Sequence, residues 1–456
     1  MTRPRSEVAL PSAIGMLPFL LPLYAAAVVA LKLTGAVSES QAAMALVAPV
    51  APVLIVWRPG WFLCLLLAVP PGLVALTPLG RPDLLMVVLA GLLVFRLLMG
   101  GRVRIPGVLL PFLLLLGVAA FMSGAQGGVA TSIASRVLEL FLYYGLLSIA
   151  AHSLVGDEEL APRTIVTALA LGALGTVIVL GFQTGASPSG FVLNGGDAPP
   201  RPGLLGYRTH FGYLMAIGLA VALPRALERP RGALRWRVAV GLFALFALLS
   251  FTRGAWVAAI LMAVPMLWST RRRGALVVAL CAVAILVTIP RVSERVTGGA
   301  RGDLATAVMS SEFTSGRTRL WSAMASEASD GFPWGNGFGH VWSLSAERLF
   351  GSSASFGDGT VVYPHNDFLF WAVDLGFPGI LLFGLLWIGV ALALAQARGS
   401  LPRPEWFAFL GIAITMLIAS LVDNGIFIRS LGEPFFVTLG VLAAFTGGRE
   451  VTRRWT

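Results

Sequence analysis

"VLLPFLLLLGVAAFM", residues 108–122, decides the fold. A strand of a membrane barrel alternates between a lipid face and a polar lumen, and this run does not alternate. A bilayer offers no water to backbone amides, so a chain crosses it either as helices of about 20 apolar residues or as a closed barrel. The unbroken run selects the helix. Apolar segments recur near 12–33, 41–57, 60–77, 82–99, 106–122, 134–154, 162–182, 207–224, 236–252, 254–269, 274–290, 377–397, 404–422 and 430–446. The chain is 57% hydrophobic and only 12% charged, outside the range of soluble globular domains. The predicted class is an all-α polytopic membrane protein with about 12–14 transmembrane helices, the lower number holding if short early segments merge or re-enter.

The first segment is too long for a signal-peptide core and lacks a small-residue cleavage site, so it is read as a retained helix. Cys64 and Cys281 both lie inside apolar runs, where they serve as small core residues; no disulfide or metal framework is implied.

The formal charge of +11 raises the question of nucleic acid, and its distribution answers it. The basic clusters "MTRPR", "GGRVR", "RALERPRGALRWR", "TRRRG", "ARGSLPRPE" and "GGREVTRRWT" fall on one side if the segments alternate. The positive-inside rule makes that side the cytoplasm, with both termini there. The charge then reflects topology and contact with anionic membrane lipids, and no nucleic-acid partner is expected. The same alternation puts residues 183–206, "SFTRG" at 250–254, residues 291–376 and "DNGIFIR" at 423–429 on the outer face. Three parts follow: an N-terminal bundle over 1–290, a large extracytoplasmic, partly helical loop over 291–376, and C-terminal transmembrane helices over 377–456.

Only the loop 291–376 is long enough to build a site, and a loop of that length is functional or disordered. Its aromatic residues favour a packed cap. Within it, Arg317–Ala328 reads as a helix stopped by "DGFPWGNG". Arg317 shares the apolar stripe of Leu320, Trp321, Met324 and Ala328, so it needs an anionic partner: a ligand, or simply Glu312 or Glu327. Arg253 interrupts an apolar stretch too long for one span and marks an outer hairpin, with Thr252 available as a cap. It is either a ligand contact or a charge marking a helix end.

His365 follows Pro364, which can occupy the first turn of a helix running to about Asp374, before "DLGFPG" breaks the chain. At a helix N-terminus the dipole keeps an imidazole neutral, fit to accept a proton or to border an anion. Capping is the plain alternative, and it is the reading for His152 and His340. Arg201, Arg208 and His210, in "RPGLLGYRTHFGYLM", face the same side and are further anion contacts in prospect. Asp423 and Asn424 end a span there; Asp423 can orient His365 or bind a sugar hydroxyl, or do no more than end its helix.

These stretches resemble the O-antigen ligase family, membrane enzymes that share a C-terminal region with O-antigen polymerases. The resemblance lies in "SFTRGAW" (250–256), "SGRTRLW" (315–321), "FPWGNGFG" (332–339) and "HNDFLFWAVDLGFPG" (365–379), in the family's order. It implies a GT-C-like fold in the bacterial inner membrane, with a periplasmic active site that takes a polysaccharide from a polyprenyl (undecaprenyl) diphosphate carrier to lipid A-core. By resemblance His365 is the catalytic base and Arg253 and Arg317 hold the diphosphate, while Trp321, Asn366 and Asp423 contact substrate. No metal, nucleotide or other cofactor is expected, since the lipid diphosphate already activates the donor. The chain departs from the family in having Asp374 where Glu is usual and in reading about two more spans.

Two other readings compete. The same chemistry with another glycan acceptor, or with protein, makes the chain an O-antigen or exopolysaccharide polymerase or a protein glycosylating enzyme. A lipid-linked oligosaccharide flippase would carry ionisable groups at mid-span, for which Arg96, Arg136 and Glu139 are the candidates.

Overall fold

The structure, a computed structural model, describes residues 59–68, 82–126, 131–157, 159–183, 208–228, 233–270, 317–345, 349 and 363–446. The expected segments 12–33, 41–57 and 274–290 lie outside these residues, as does Arg201; the side chain of Arg208 is likewise not described. Among the described residues the elements are α1 (Pro59–Ala68), α2 (Pro82–Leu98), α3 (Leu110–Gln126), α4 (Thr131–Gly156), α5 (Pro162–Gln183), α6 (Arg208–Leu227), α7 (Ala233–Leu249), α8 (Arg253–Ser269), α9 (Arg317–Asp330), α10 (Asp367–Ala397), α11 (Arg403–Val422) and α12 (Arg429–Thr446). There is no β-strand among them. Among the described residues four helices are long and apolar enough to cross a membrane, over 134–156, 209–227, 367–397 and 403–422, and shorter apolar helices accompany them. The chain is an all-α polytopic membrane protein.

The helices pack in sequence-distant pairs: α4 against α12, α6 against α7 and α11, α8 against α11, and α9 along α10. An aromatic cluster joins the C-terminal elements. Trp371 stacks on Phe338 at 6.1 Å, Trp342 meets Phe370 at 5.2 Å, and Phe427 meets Phe370 at 4.6 Å. Each such pair is worth about 0.5–1.5 kcal/mol beyond its buried area. Together they tie the first turns of α10 to the loop after α9 and to the turn after α11.

Charge is segregated to the two ends of the bundle. At one end Arg96, in the last turn of α2, pairs with Asp157 at 2.5 Å and Glu159 at 2.7 Å, and Arg104 meets Asp157 at 2.9 Å. At the same end Arg225 of α6 pairs with Glu405 of α11, both buried. Arg96 is therefore an ion-paired helix terminus and not the mid-span group that a transport pathway would use, while Arg136, in the first turns of α4, is exposed.

α10 contains the feature that holds the site in place. The chain breaks at Gly376 (φ 61°, ψ −139°), as "DLGFPG" predicts, and the break frees backbone groups that are buried within the protein. The segment 333–341 satisfies them. Asn336 N–H donates to the Val373 carbonyl at 2.9 Å, Gly337 N–H to the Asp374 carbonyl at 2.8 Å, and Phe377 N–H to the Pro333 carbonyl at 2.8 Å. The buried Asp374 carboxylate accepts from Gly339 N–H at 2.8 Å and Val341 N–H at 2.9 Å. The approach is close enough that a Cβ on Gly335 would lie 2.5 Å from the Gly376 nitrogen. Two motifs some forty residues apart in "FPWGNGFG" and "DLGFPG" are thus halves of one lock.

Asp374→Ala leaves two buried N–H groups without an acceptor, a cost of about 1–3 kcal/mol each. The expected outcome is a clearly lower melting temperature in detergent, with Asp374→Asn intermediate because its amide keeps one acceptor oxygen. An unchanged melt for Asp374→Ala would remove Asp374 from the lock.

Candidate active site

The site is assembled at the end of the bundle opposite the Arg96 and Arg225 pairs. α11 ends at Val422, and Asp423 caps it in an extended conformation, its N–H donating to the Ala419 carbonyl at 2.8 Å. Asp423 is 8% exposed, and its carboxylate faces three groups. One oxygen lies 2.9 Å from His365 Nδ1 and also accepts from Asn424 N–H at 3.0 Å; the other lies 3.9 Å from an Arg317 Nη. The second Nη of Arg317 donates to the Val422 carbonyl. Burial pushes the Asp423 carboxyl up, but the hydrogen bond from His365 and the charge of Arg317 outweigh it and leave the group below its ordinary value. It is an anion at neutral pH.

His365 is fixed from both sides. The carbonyl of Pro364 accepts from Trp321 Nε1 at 2.8 Å, so α9 grips the residue before it. Asn366, the residue after it, caps α10: its Oδ1 accepts from Leu369 N–H at 3.0 Å and its Nδ2 donates to the Leu421 carbonyl at 3.0 Å. His365 itself has φ 48°, a left-handed conformation that a histidine adopts only where its surroundings impose it. With Nδ1–H donating to Asp423, the basic lone pair is on Nε2, and the side chain is 40% exposed. A carboxylate-oriented imidazole of this kind can take a proton from a hydroxyl.

Helix α10 starts at Asp367 with Asn366 as its cap, so Pro364 lies outside the first turn and His365 two residues before the helix. The first-turn amide of Leu369 goes to Asn366 Oδ1 instead of facing His365. A buried acid, not the helix dipole, orients the ring. Arg317 pairs with Asp423, while Glu327, one of its two alternative partners in sequence, faces His340 at 3.2 Å, and the other, Glu312, lies outside the described residues. His152 bonds the Gly440 carbonyl at 3.2 Å in a packing role.

Arg253 opens α8, and Thr252 stands at the cap position without a side-chain cap bond; its hydroxyl donates to the Ser250 carbonyl at 3.3 Å. Gly254, next to Arg253, has the Tyr213 hydroxyl and the Val422 side chain against its Cα face. The backbone at Arg253 therefore adjoins Val422, whose carbonyl holds Arg317. His210, half-buried, lies one turn before Tyr213 on α6, and Arg208 is the first residue of that helix.

Two participants gave no signal in sequence. Tyr213 looks like any aromatic in an apolar run, yet it packs beneath α8. Asp367 is fully buried and accepts from Ile426 N–H at 2.9 Å, joining α10 to the turn that follows Asp423. Adjacent acidic and amide residues in "HND" do not say which caps and which reaches across.

Because Asp423 is held below its ordinary value, its pairing contributes stability that is present above the unfolded carboxylate value and lost as pH falls through the lower folded one. Melting temperature measured against pH should show this acid limb in the parent chain and a weaker one in Asp423→Asn; identical profiles would mean that the carboxylate is not paired. Curated proteins yield no match to the chain. Residues 238–384, about a third of the chain, which carry Arg253, Arg317, His365 and the whole α10 lock, match the family model described as O-antigen ligase.

Proposed function

We propose that the chain is a glycosyltransferase that moves a polysaccharide from a polyprenyl diphosphate carrier to lipid A-core at the periplasmic face of the bacterial inner membrane. One observation carries this reading. His365 Nδ1 and Arg317 share the carboxylate of Asp423, so a proton acceptor and a cation are held side by side at one end of the bundle. The opposite end holds Arg96, Arg104, Arg225 and Arg403, which supports a cytoplasmic assignment for that end and an outward one for His365.

In the proposed reaction an acceptor hydroxyl attacks the anomeric carbon of the donor sugar. The hydroxyl proton passes to His365 Nε2, and Asp423 stabilises the imidazolium that forms. The bond between the anomeric carbon and the diphosphate oxygen breaks, and polyprenyl diphosphate leaves with the electron pair. Arg317, with donors beyond those directed to Val422 and Asp423, and Arg253, whose backbone adjoins Val422, neutralise the charge that builds on the leaving oxygen. A single displacement inverts the anomeric configuration. The scheme needs no metal, because the diphosphate is already a good leaving group. Asn366 and Trp321 act on His365 through its flanking residues, and Arg208 and His210 stand where a second phosphate contact would be useful.

The decisive assay is transfer from a polyprenyl-diphosphate glycan in the presence of chelator, with lipid A-core and carrier-linked glycan offered as rival acceptors. Mass gained by lipid A-core is the expected result; mass gained by the carrier-linked glycan would make the chain a polymerase. His365→Ala should reduce turnover by about 10²–10⁴-fold with donor binding intact. Turnover at the parent rate would take His365 out of the mechanism. Arg317→Ala and Arg253→Ala should each weaken binding of the carrier diphosphate by about 10–100-fold, from the worth of a hydrogen bond to a charged group. Arg317→Lys should recover part of that loss, and undiminished affinity in the alanine variants would assign both arginines to structure.

A further inference from the structure

The turn after α9 presents two large aromatic side chains outward. Phe332 is 66% exposed and Trp334 69% exposed, on either side of Pro333. The turn is not loose. It is the same segment that locks the break in α10, held by Gly335 N–H to the Gly331 carbonyl at 2.8 Å and by Phe377 N–H to the Pro333 carbonyl at 2.8 Å. Asn336 Nδ2 adds a bond to the Glu327 carbonyl at 2.8 Å. A rigid turn that holds Phe and Trp away from the core needs an apolar partner outside the protein.

That partner follows from where the turn docks. Phe377, whose amide it binds, starts an exposed apolar stripe along α10: Phe377, Ile380, Leu381, Leu385, Ile388 and Leu392. On a helix of a membrane protein such a stripe faces lipid. From Phe377 to Ala397 the helix rises about 31 Å, at 1.5 Å per residue, close to the roughly 30 Å of a hydrocarbon core. Arg398 follows directly at the other end and lies 5.7 Å from the ring of Trp406, a cation and an indole of the sort that mark a bilayer boundary. Phe377 is then at the opposite boundary, and Phe332 and Trp334 are at the same level, where indole and phenyl rings concentrate.

We propose that Phe332 and Trp334 form an interfacial prong that inserts between phospholipid headgroups beside the first lipid-facing turn of α10. Since the turn is bonded to Val373, Asp374 and Phe377, the prong fixes the height of α10 in the leaflet. Ten residues along the same helix it thereby fixes the His365 end. The opposite face of α9 gives a contrast: Thr318, Arg319, Ser322 and Ser326 are exposed there and are polar, so that face belongs to water.

The test uses the full chain with Cys64→Ala and Cys281→Ala, labelled with an environment-sensitive fluorophore through Trp334→Cys and, separately, Phe332→Cys and Ser322→Cys. Each is placed in nanodiscs of phosphatidylethanolamine and phosphatidylglycerol containing lipid spin-labelled either near the headgroup or deep in the acyl chain. The expected result is quenching at 332 and 334 at least twofold stronger by the shallow label than by the deep one, with weak quenching by aqueous iodide. Position 322 should respond to iodide alone. Iodide quenching at 332 and 334 equal to that at 322, without lipid quenching, would leave the prong in water, free to stack on a glycan. Protection from every quencher would mean that protein covers it, such as a second copy of the chain, and stronger quenching by the deep label would bury it in hydrocarbon; each overturns the proposal. None of these readouts depends on which reaction the protein catalyses.

Discussion

One buried carboxylate holds the site together. Asp423 ends α11 at the boundary of the apolar bundle, where an anion is stable only if its neighbours supply compensating charge and donors. His365 from the start of α10 and Arg317 from the start of α9 supply them, and the carbonyl of Val422 takes the remaining reach of the arginine. The charge and hydrogen bonds that offset the burial of this acid come from elements distant in sequence that meet at one point. The same pairing sets the imidazole tautomer, so the physical requirement and the chemical competence have a single origin.

The arrangement depends on a second constraint some distance along α10. A helix interrupted where its backbone is buried must have its freed amides and carbonyls satisfied by protein. The break at Gly376 meets this condition through "FPWGNGFG", which folds against it through backbone hydrogen bonds and the carboxylate of Asp374. Phe338 and Trp342 from the same segment then pack on Trp371 and Phe370. The loop after α9 is thereby fixed to α10, and α9 with it. Arg317 reaches Asp423 because this lock sets where α9 begins.

Much of this was legible before the structure. The class followed from residues 108–122, since a run without alternation fits no barrel. Arg253, Arg317 and His365 stood out because charge is rare in such a chain, and the break at "DLGFPG" followed from Gly and Pro chemistry. The helix Arg317–Asp330 extends two residues beyond the expected stretch, a fraying-length difference. The position of His365 was read less well: a proline before it resembles a helix start, but Asn366 out-competes it because its side chain can accept the Leu369 amide. The sequence left the partner of Arg317 open between a ligand and the nearby Glu312 or Glu327, because it cannot show that Asp423, far along the chain, is near in space.

By itself the sequence determined that the chain crosses a membrane as helices, which groups in it are scarce enough to matter, and where its backbone must bend. Those properties are local, set by transfer free energy, charge and φ/ψ preference within a few residues. Only the tertiary structure decided that Asp423 orients His365, that Asp367 and Asp374 serve backbone amides, and that Trp334 faces outward while Trp342 and Trp371 are buried. Identical side chains have opposite roles there because an acid or an indole is defined by what surrounds it, and those surroundings come from distant segments, as Trp371 against Phe141 and Asp423 against Arg317 show.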